Sequence, residues 1–127
     1  MSEVSVEPHG AGPFPFIFRS GNSQSEPKDI NGWEPVAIQF INQPWTTADI
    51  TFLAAEKYDG TYLPVYGPTG TEVKLTTGTS SKVILMVPGS VGDLDNLRYL
   101  KLRSGTEASP VNQTGDRTIL MLVRQGA

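Results

Sequence analysis

The sequence predicts an all-β domain, an antiparallel β-sandwich or jelly roll of about eight strands with an extended N-terminal arm. Three observations carry that expectation. The 127-residue chain holds 13 Gly and 10 Pro against 38% hydrophobic residues, a composition suited to short strands joined by tight turns. Apolar residues recur with period two, as in Val36, Ile38 and Phe40, which is the pattern of a half-buried strand. No window sustains a helical period, and residues 91–96 could make a single turn at most.

Residues 1–35 read as the arm. Pro8, Pro13, Pro15, Pro27 and Pro35 are interspersed with Gly10, Gly12, Gly21 and Gly32, and breakers at that density forbid a long regular element. Phe14, Phe16, Ile17 and Phe18 form an apolar cluster within it, and burying each large side chain is worth about 1.5–3 kcal/mol. The cluster is therefore expected to dock, either as a first strand closing the chain's own sandwich or on a neighbouring subunit. The sandwich domain itself is expected over residues 36–127, with strands near 36–40, 50–55, 62–66, 72–75, 82–87, 97–103 and 117–124. Turn residues separate these runs. Asp59-Gly60 readily takes the positive φ angles of a tight hairpin, and Gly67-Pro68-Thr69-Gly70 makes a second connection. Pro88-Gly89 and Ser104-Gly105-Thr106 end two later runs. Residues 83–87 and 119–123 are apolar on both parities, so something must cover both of their faces: either the arm and loops of the same chain, or a subunit interface.

Charge and residue types narrow the function classes. With 10 Lys+Arg against 13 Asp+Glu the formal net charge is −3, which excludes a bulk basic footprint for nucleic acid. There is no cysteine, and His9 is the single histidine, so thiol chemistry is absent and the usual general bases nearly so. Ser90 in Pro-Gly-Ser-Val-Gly only superficially matches a nucleophile elbow, because Pro88 stands two residues before it. Glu72, Asp93, Asp95, Glu107 and Asp116 sit in turn-like segments and read as solvated carboxylates. Asp93, Asp95 and Asn96 lack the glycine and distant glutamate of a calcium loop. Asn112-Gln113-Thr114 matches a glycosylation sequon by coincidence. No catalytic residue, metal or cofactor is expected. Neither a membrane span nor a signal peptide is read, so a soluble chain not exported by the ordinary route is expected. Trp33, Trp45, Tyr58, Tyr62 and Tyr66 suit core-edge positions or stacking surfaces. Arg98, Lys101 and Arg103 share one run and form a local cationic stripe, while Arg117 and Arg124 bracket another.

An ordered series of phrases adds a resemblance. SGNSQSEPKDI is followed by VAIQF, PWTTADITFLAAEKYDGTY, VYGPTGTEV, RYLKLRSGTEASPVNQTGDRTI and LMLVR, spanning residues 20–124. As a set they resemble a family of small structural proteins encoded among the head and tail genes of tailed bacteriophages. Asp59, Gly60 and Tyr62, then Arg98, Tyr99, Leu100 and Lys101, also look like the discoidin-type jelly roll. The phage resemblance implies a virion component without catalytic activity that decorates or cements a capsid, often as a trimer. The partner expected is the major capsid protein or another virion protein, together with further copies of the chain, and neither nucleic acid nor membrane. Its place would be the virion, assembled in the host cytoplasm. The contact residues expected are Phe14, Phe16, Phe18, Trp33 and Trp45 as apolar anchors, with Arg98, Lys101 and Arg103 as polar contacts. A chain lacking residues 1–20 is accordingly expected to stay folded but no longer to assemble or bind shells. The rival expectation is a carbohydrate-recognition module on a tail or fibre, which would bind a host-surface glycan through exposed tryptophan or tyrosine.

Overall fold

A computed structural model describes residues 13–31, 33–41, 44–77, 83–85 and 97–125. Among them are nine strands and no helix. In chain order these are β1 (Phe14–Phe18), β2 (Lys28–Asp29), β3 (Trp33–Phe40), β4 (Ile50–Ala55), β5 (Leu63–Pro64), β6 (Lys74–Leu75), β7 (Val83–Leu85), β8 (Tyr99–Ser104) and β9 (Arg117–Gln125). A four-stranded sheet runs β1-β9-β3-β7, and a five-stranded sheet runs β2-β8-β4-β5 with β6 also paired to β4. Every pairing between named strands is antiparallel. The expected all-β sandwich is the fold. His9, Ser90, Asp93, Asp95, Asn96, the Pro88-Gly89 turn and the 91–96 segment lie outside the described residues.

Period-two patterning explains how the sheets face each other. Phe16 opposes Ile119, and Ile119 opposes Phe40, so three neighbouring strands send apolar side chains to the same side. On the other sheet Phe52 opposes Leu102 and Ala54 opposes Leu100. Phe16, Phe18, Ile38, Phe52, Leu100, Leu102, Ile119 and Met121 are completely buried. Ile30 and Trp45 join them from the connections, and the whole forms one contiguous core.

The arm expectation needs correcting at its boundary. From Pro13 onward the described part of it is sandwich: β1 is an edge of one sheet, β2 is an edge of the other, and β3 already begins at Trp33. The Phe14–Phe18 strand docks in cis, because its alternation matches the inward face of β9 in register. Pro35 is tolerated inside β3 because it pairs with Val123, where the β9 register shifts after Leu122. A bulge is one of the few places where a strand can accept a residue without an N–H.

Two turns behave differently from each other. Gly70 takes a positive φ (87°), and its N–H closes the expected turn on Gly67 O at 3.0 Å. Asp59-Gly60 does not form a positive-φ hairpin. There Tyr58 and Asp59 are the central residues, and Gly60 closes the turn by donating to Lys57 O at 3.0 Å. Gly105, at φ 91°, is required twice over, since a Cβ there would also stand 2.4 Å from Ser109 O.

Candidate functional site

Strand parity decides which cations reach the surface. On β8, Leu100 and Leu102 point into the core, so Tyr99, Lys101 and Arg103 fall on the outer face. The preceding Arg98 and the turn residue Tyr58 extend that face. Tyr58 is 57% exposed, and its ring meets Tyr99 edge-on with centroids 6.1 Å apart. The Arg98 guanidinium lies 5.1 Å from the centre of the Tyr99 ring, and the Lys101 ammonium lies 4.6 Å from that of Tyr62.

These side chains are held before any partner arrives. The Tyr62 hydroxyl donates to Tyr58 O at 2.7 Å, which ties the β5 approach to the turn. Arg98 donates Nε and Nη2 to the two carboxylate oxygens of Asp29, at 3.4 and 3.3 Å. That hydrogen bonding, followed by the charge of Asp29, pushes the Arg98 guanidinium above its ordinary value. Burial is the leading cause that pushes the Tyr62 phenol up, and Tyr58, Tyr99 and Asp59 add to it. The result is a fixed tyrosine–cation surface, a composition enriched at energetically dominant interface positions.

The other expected contact residues fall elsewhere. Phe16 and Phe18 are completely buried and Trp45 is 5% exposed, so all three belong to the chain's own core and have no surface to offer as anchors. Trp45 stacks edge-on against Phe18 and Phe40, and its indole N–H donates to Ala48 O at 3.2 Å. Phe14 and Trp33 are half-buried. Arg103 is 6% exposed and paired with Glu72, so the cationic stripe reduces to Arg98 and Lys101. Parity placed Arg103 outward correctly, but Glu72 covers it from the segment between β5 and β6.

A second surface concerns the two doubly apolar runs. On β9, Ile119 and Met121 are buried while Leu120 and Leu122 on the opposite parity are half-buried. Pro15 stands opposite Leu120, and Val83, which is 51% exposed, stands opposite Gln39 on the same outward side. The outer face of the four-stranded sheet thus carries an apolar row.

One residue that sequence reading passed over organises the loops. Gln113 is completely buried, and its side chain imitates a strand: Oε1 accepts from Thr46 N at 2.9 Å and Nε2 donates to Thr46 O at 3.0 Å. Its main chain accepts from Gly21 N and donates to Asn22 O. Replacing it with alanine leaves both Thr46 main-chain groups without partners. The expected cost is about 1–3 kcal/mol, read as a fall in the urea midpoint at unchanged slope. In the sequence only its place in a coincidental sequon drew notice, and nothing in a lone glutamine signals a buried hub.

Among the described residues no group of three or more His, Asp or Glu side chains could hold a metal ion. No family model, curated protein or solved structure matches the chain.

Proposed function

We propose that this chain is a non-enzymatic structural component of a tailed-bacteriophage virion, a capsid decoration or cement protein that acts through protein–protein contacts. The phrase-level resemblance over residues 20–124 supplies the class. The observation that carries the contact surface is the exposed Tyr58, seated on Tyr99, with Arg98 over the Tyr99 ring and Lys101 over that of Tyr62. Tyrosine and arginine anchors already fixed in the free protein lose little side-chain entropy on binding, so more of their contact energy appears as affinity. The apolar row of Leu120, Leu122 and Val83 suits contact with further copies of the chain, and a trimer is the assembly expected first. A sequence without cysteine and with a single histidine accords with a mechanical role. Copies set on a shell and joined to one another would share load by effective concentration, so that modest contacts add up.

Sedimentation with shells of the major capsid protein from the same genome tests this reading. The protein is expected to travel with the shells. Tyr58→Ala combined with Arg98→Ala should lower its affinity about tenfold or more, a change of about 1.4 kcal/mol, without shifting the urea midpoint. Wild-type protein that stays in the supernatant, and a strictly monomeric mass by light scattering, would overturn it.

A further inference from the structure

Sugar recognition by side-chain amides needs groups that both donate and accept, held on a backbone that does not move. Such a groove lies at the corner where β1 meets the outer edge of the five-stranded sheet. It has a volume of about 570 Å³ and is lined by Asn22, Ser23, Gln24, Glu26, Lys101 and Asn112, with Ile17 and Pro27 as apolar members. That volume falls within the range typical of small-molecule sites.

Much of the backbone beneath it is hydrogen-bonded. Asn22 N donates to Arg19 O at 3.0 Å, and Asn22 O accepts from Gln113 N at 3.0 Å. Ser23 O accepts from Ser104 N at 2.7 Å, and Ser25 N donates to Leu102 O at 2.8 Å. Glu26 N donates to Ile17 O at 3.0 Å, which closes the edge of β1 at that point. The loop is therefore pinned to both sheets. Its side chains, by contrast, are unspent: those of Asn22, Ser23 and Asn112 make no hydrogen bond among the described residues, and Gln24 has only a 3.5 Å contact from Lys101 Nζ.

These facts select the ligand class. A peptide strand would need an open main-chain edge, and Ser25 and Glu26 have taken it. An anion is disfavoured: Arg19, which also lines the groove, is occupied by Glu26 at 3.0 Å and Asp116 at 3.9 Å, and the Glu26 carboxylate sits beside the one remaining lining cation, Lys101. Amides and a hydroxyl, each able to donate and accept, match the alternating hydroxyls of a neutral sugar. Glu26 can accept from one more hydroxyl, and Lys101 can donate to another.

We infer that this corner groove binds a neutral saccharide, through Asn22, Ser23, Gln24 and Asn112 with Glu26 and Lys101 at its sides. The groove adjoins the Tyr58 surface at Lys101, which borders both, but its amide side chains are not part of that surface and the inference does not depend on the virion reading. Proton–nitrogen correlation spectra of the full chain, titrated to millimolar levels with tetrasaccharides of glucose, mannose, galactose and N-acetylglucosamine, test it. Saturable shifts of the Asn22, Gln24 and Asn112 side-chain amides are expected with at least one of them. Asn22→Ala with Asn112→Ala should weaken that binding about tenfold or more, while Tyr58→Ala leaves it unchanged. Both positions of the double variant are solvent-exposed, so its fold is expected to persist. Silence with all four sugars, shifts confined to the Tyr58 turn, or equal binding by the double variant would each overturn the inference. Shell sedimentation of the same double variant is expected to be unchanged, and a loss there would tie the groove to the shell contact and overturn its independence from the virion reading.

Discussion

Phe18→Ala is expected to remove about 3–5 kcal/mol of stability, a large part of the total of about 5–15 kcal/mol that a domain of this size commands. Phe18 is completely buried at the end of edge strand β1, and its ring meets Trp45 edge-on with centroids 5.4 Å apart. Trp45 in turn meets Phe40 at 5.1 Å, so one ring links the edge strand to the centre of the sheet. Alanine there removes the transfer energy, the aromatic pair and the support beneath Trp45 together. Phe18→Leu keeps much of the volume and should cost less than half as much. Deleting residues 1–20 goes further, since it strips Phe16 and Phe18 from the core and exposes β9 from Arg117 to Met121. That truncation is expected to show no cooperative melting transition and no near-ultraviolet circular dichroism. A truncated chain with the wild-type urea midpoint would contradict the placement of β1. The expectation that it stays folded is thereby reversed.

Much of this was legible beforehand. The Phe14 to Phe18 cluster had to be buried, and the β-period of 36–40 and 50–55 identified strands whose inward residues are now seen. Burial on the wrong parity was not legible. Thr51 and Leu53 face outward from β4 yet are 0% and 3% exposed: Arg103 and Lys101 stand opposite them on β8, Glu72 from the loop between β5 and β6 pairs with Arg103, and that same segment lines the other edge of β4. A strand's own pattern reports its alternation, whereas the loop that covers its second face is written elsewhere in the chain. The same reason misplaced Arg103 among surface cations. β2 was missed because a two-residue strand at Lys28 and Asp29 has too few residues to show any period. Arg98 and Lys101 were read as part of a three-residue cationic stripe, but Asp29 and Tyr62, which hold them, come from distant stretches of the chain, and only the fold brings these together.

Arg103→Ala is expected to cost about 3–5 kcal/mol, because it strands a carboxylate that has almost no access to water. The Arg103 and Glu72 side chains are 7% and 12% exposed and directly paired. Arg103 Nε also donates to Thr51 Oγ1 at 3.1 Å, and the Thr51 hydroxyl donates in turn to Gly105 O at 2.8 Å. The second oxygen of Glu72 accepts from Glu107 N at 3.1 Å, and the Glu107 carboxylate accepts from the Tyr66 hydroxyl at 2.6 Å. That last bond is the leading reason the Tyr66 phenol is pushed up. One guanidinium thus fastens β8 to β4 and, through Glu72, fastens two surface loops to each other. Glu72→Ala should be as damaging as Arg103→Ala, and the two losses should not add. Arg103→Met combined with Glu72→Leu should recover most of the stability, since a packed apolar pair avoids the desolvation that the ions suffer. Urea denaturation of the parent, the two single alanine variants and the double alanine variant completes the cycle, and the Met–Leu variant is measured beside them. If the single variants melt like the parent, the pair is solvated and the loops are held by something else. If the Met–Leu variant melts no higher than the singles, the contribution of the pair lies in its hydrogen bonds to Thr51 and Glu107 rather than in its charge.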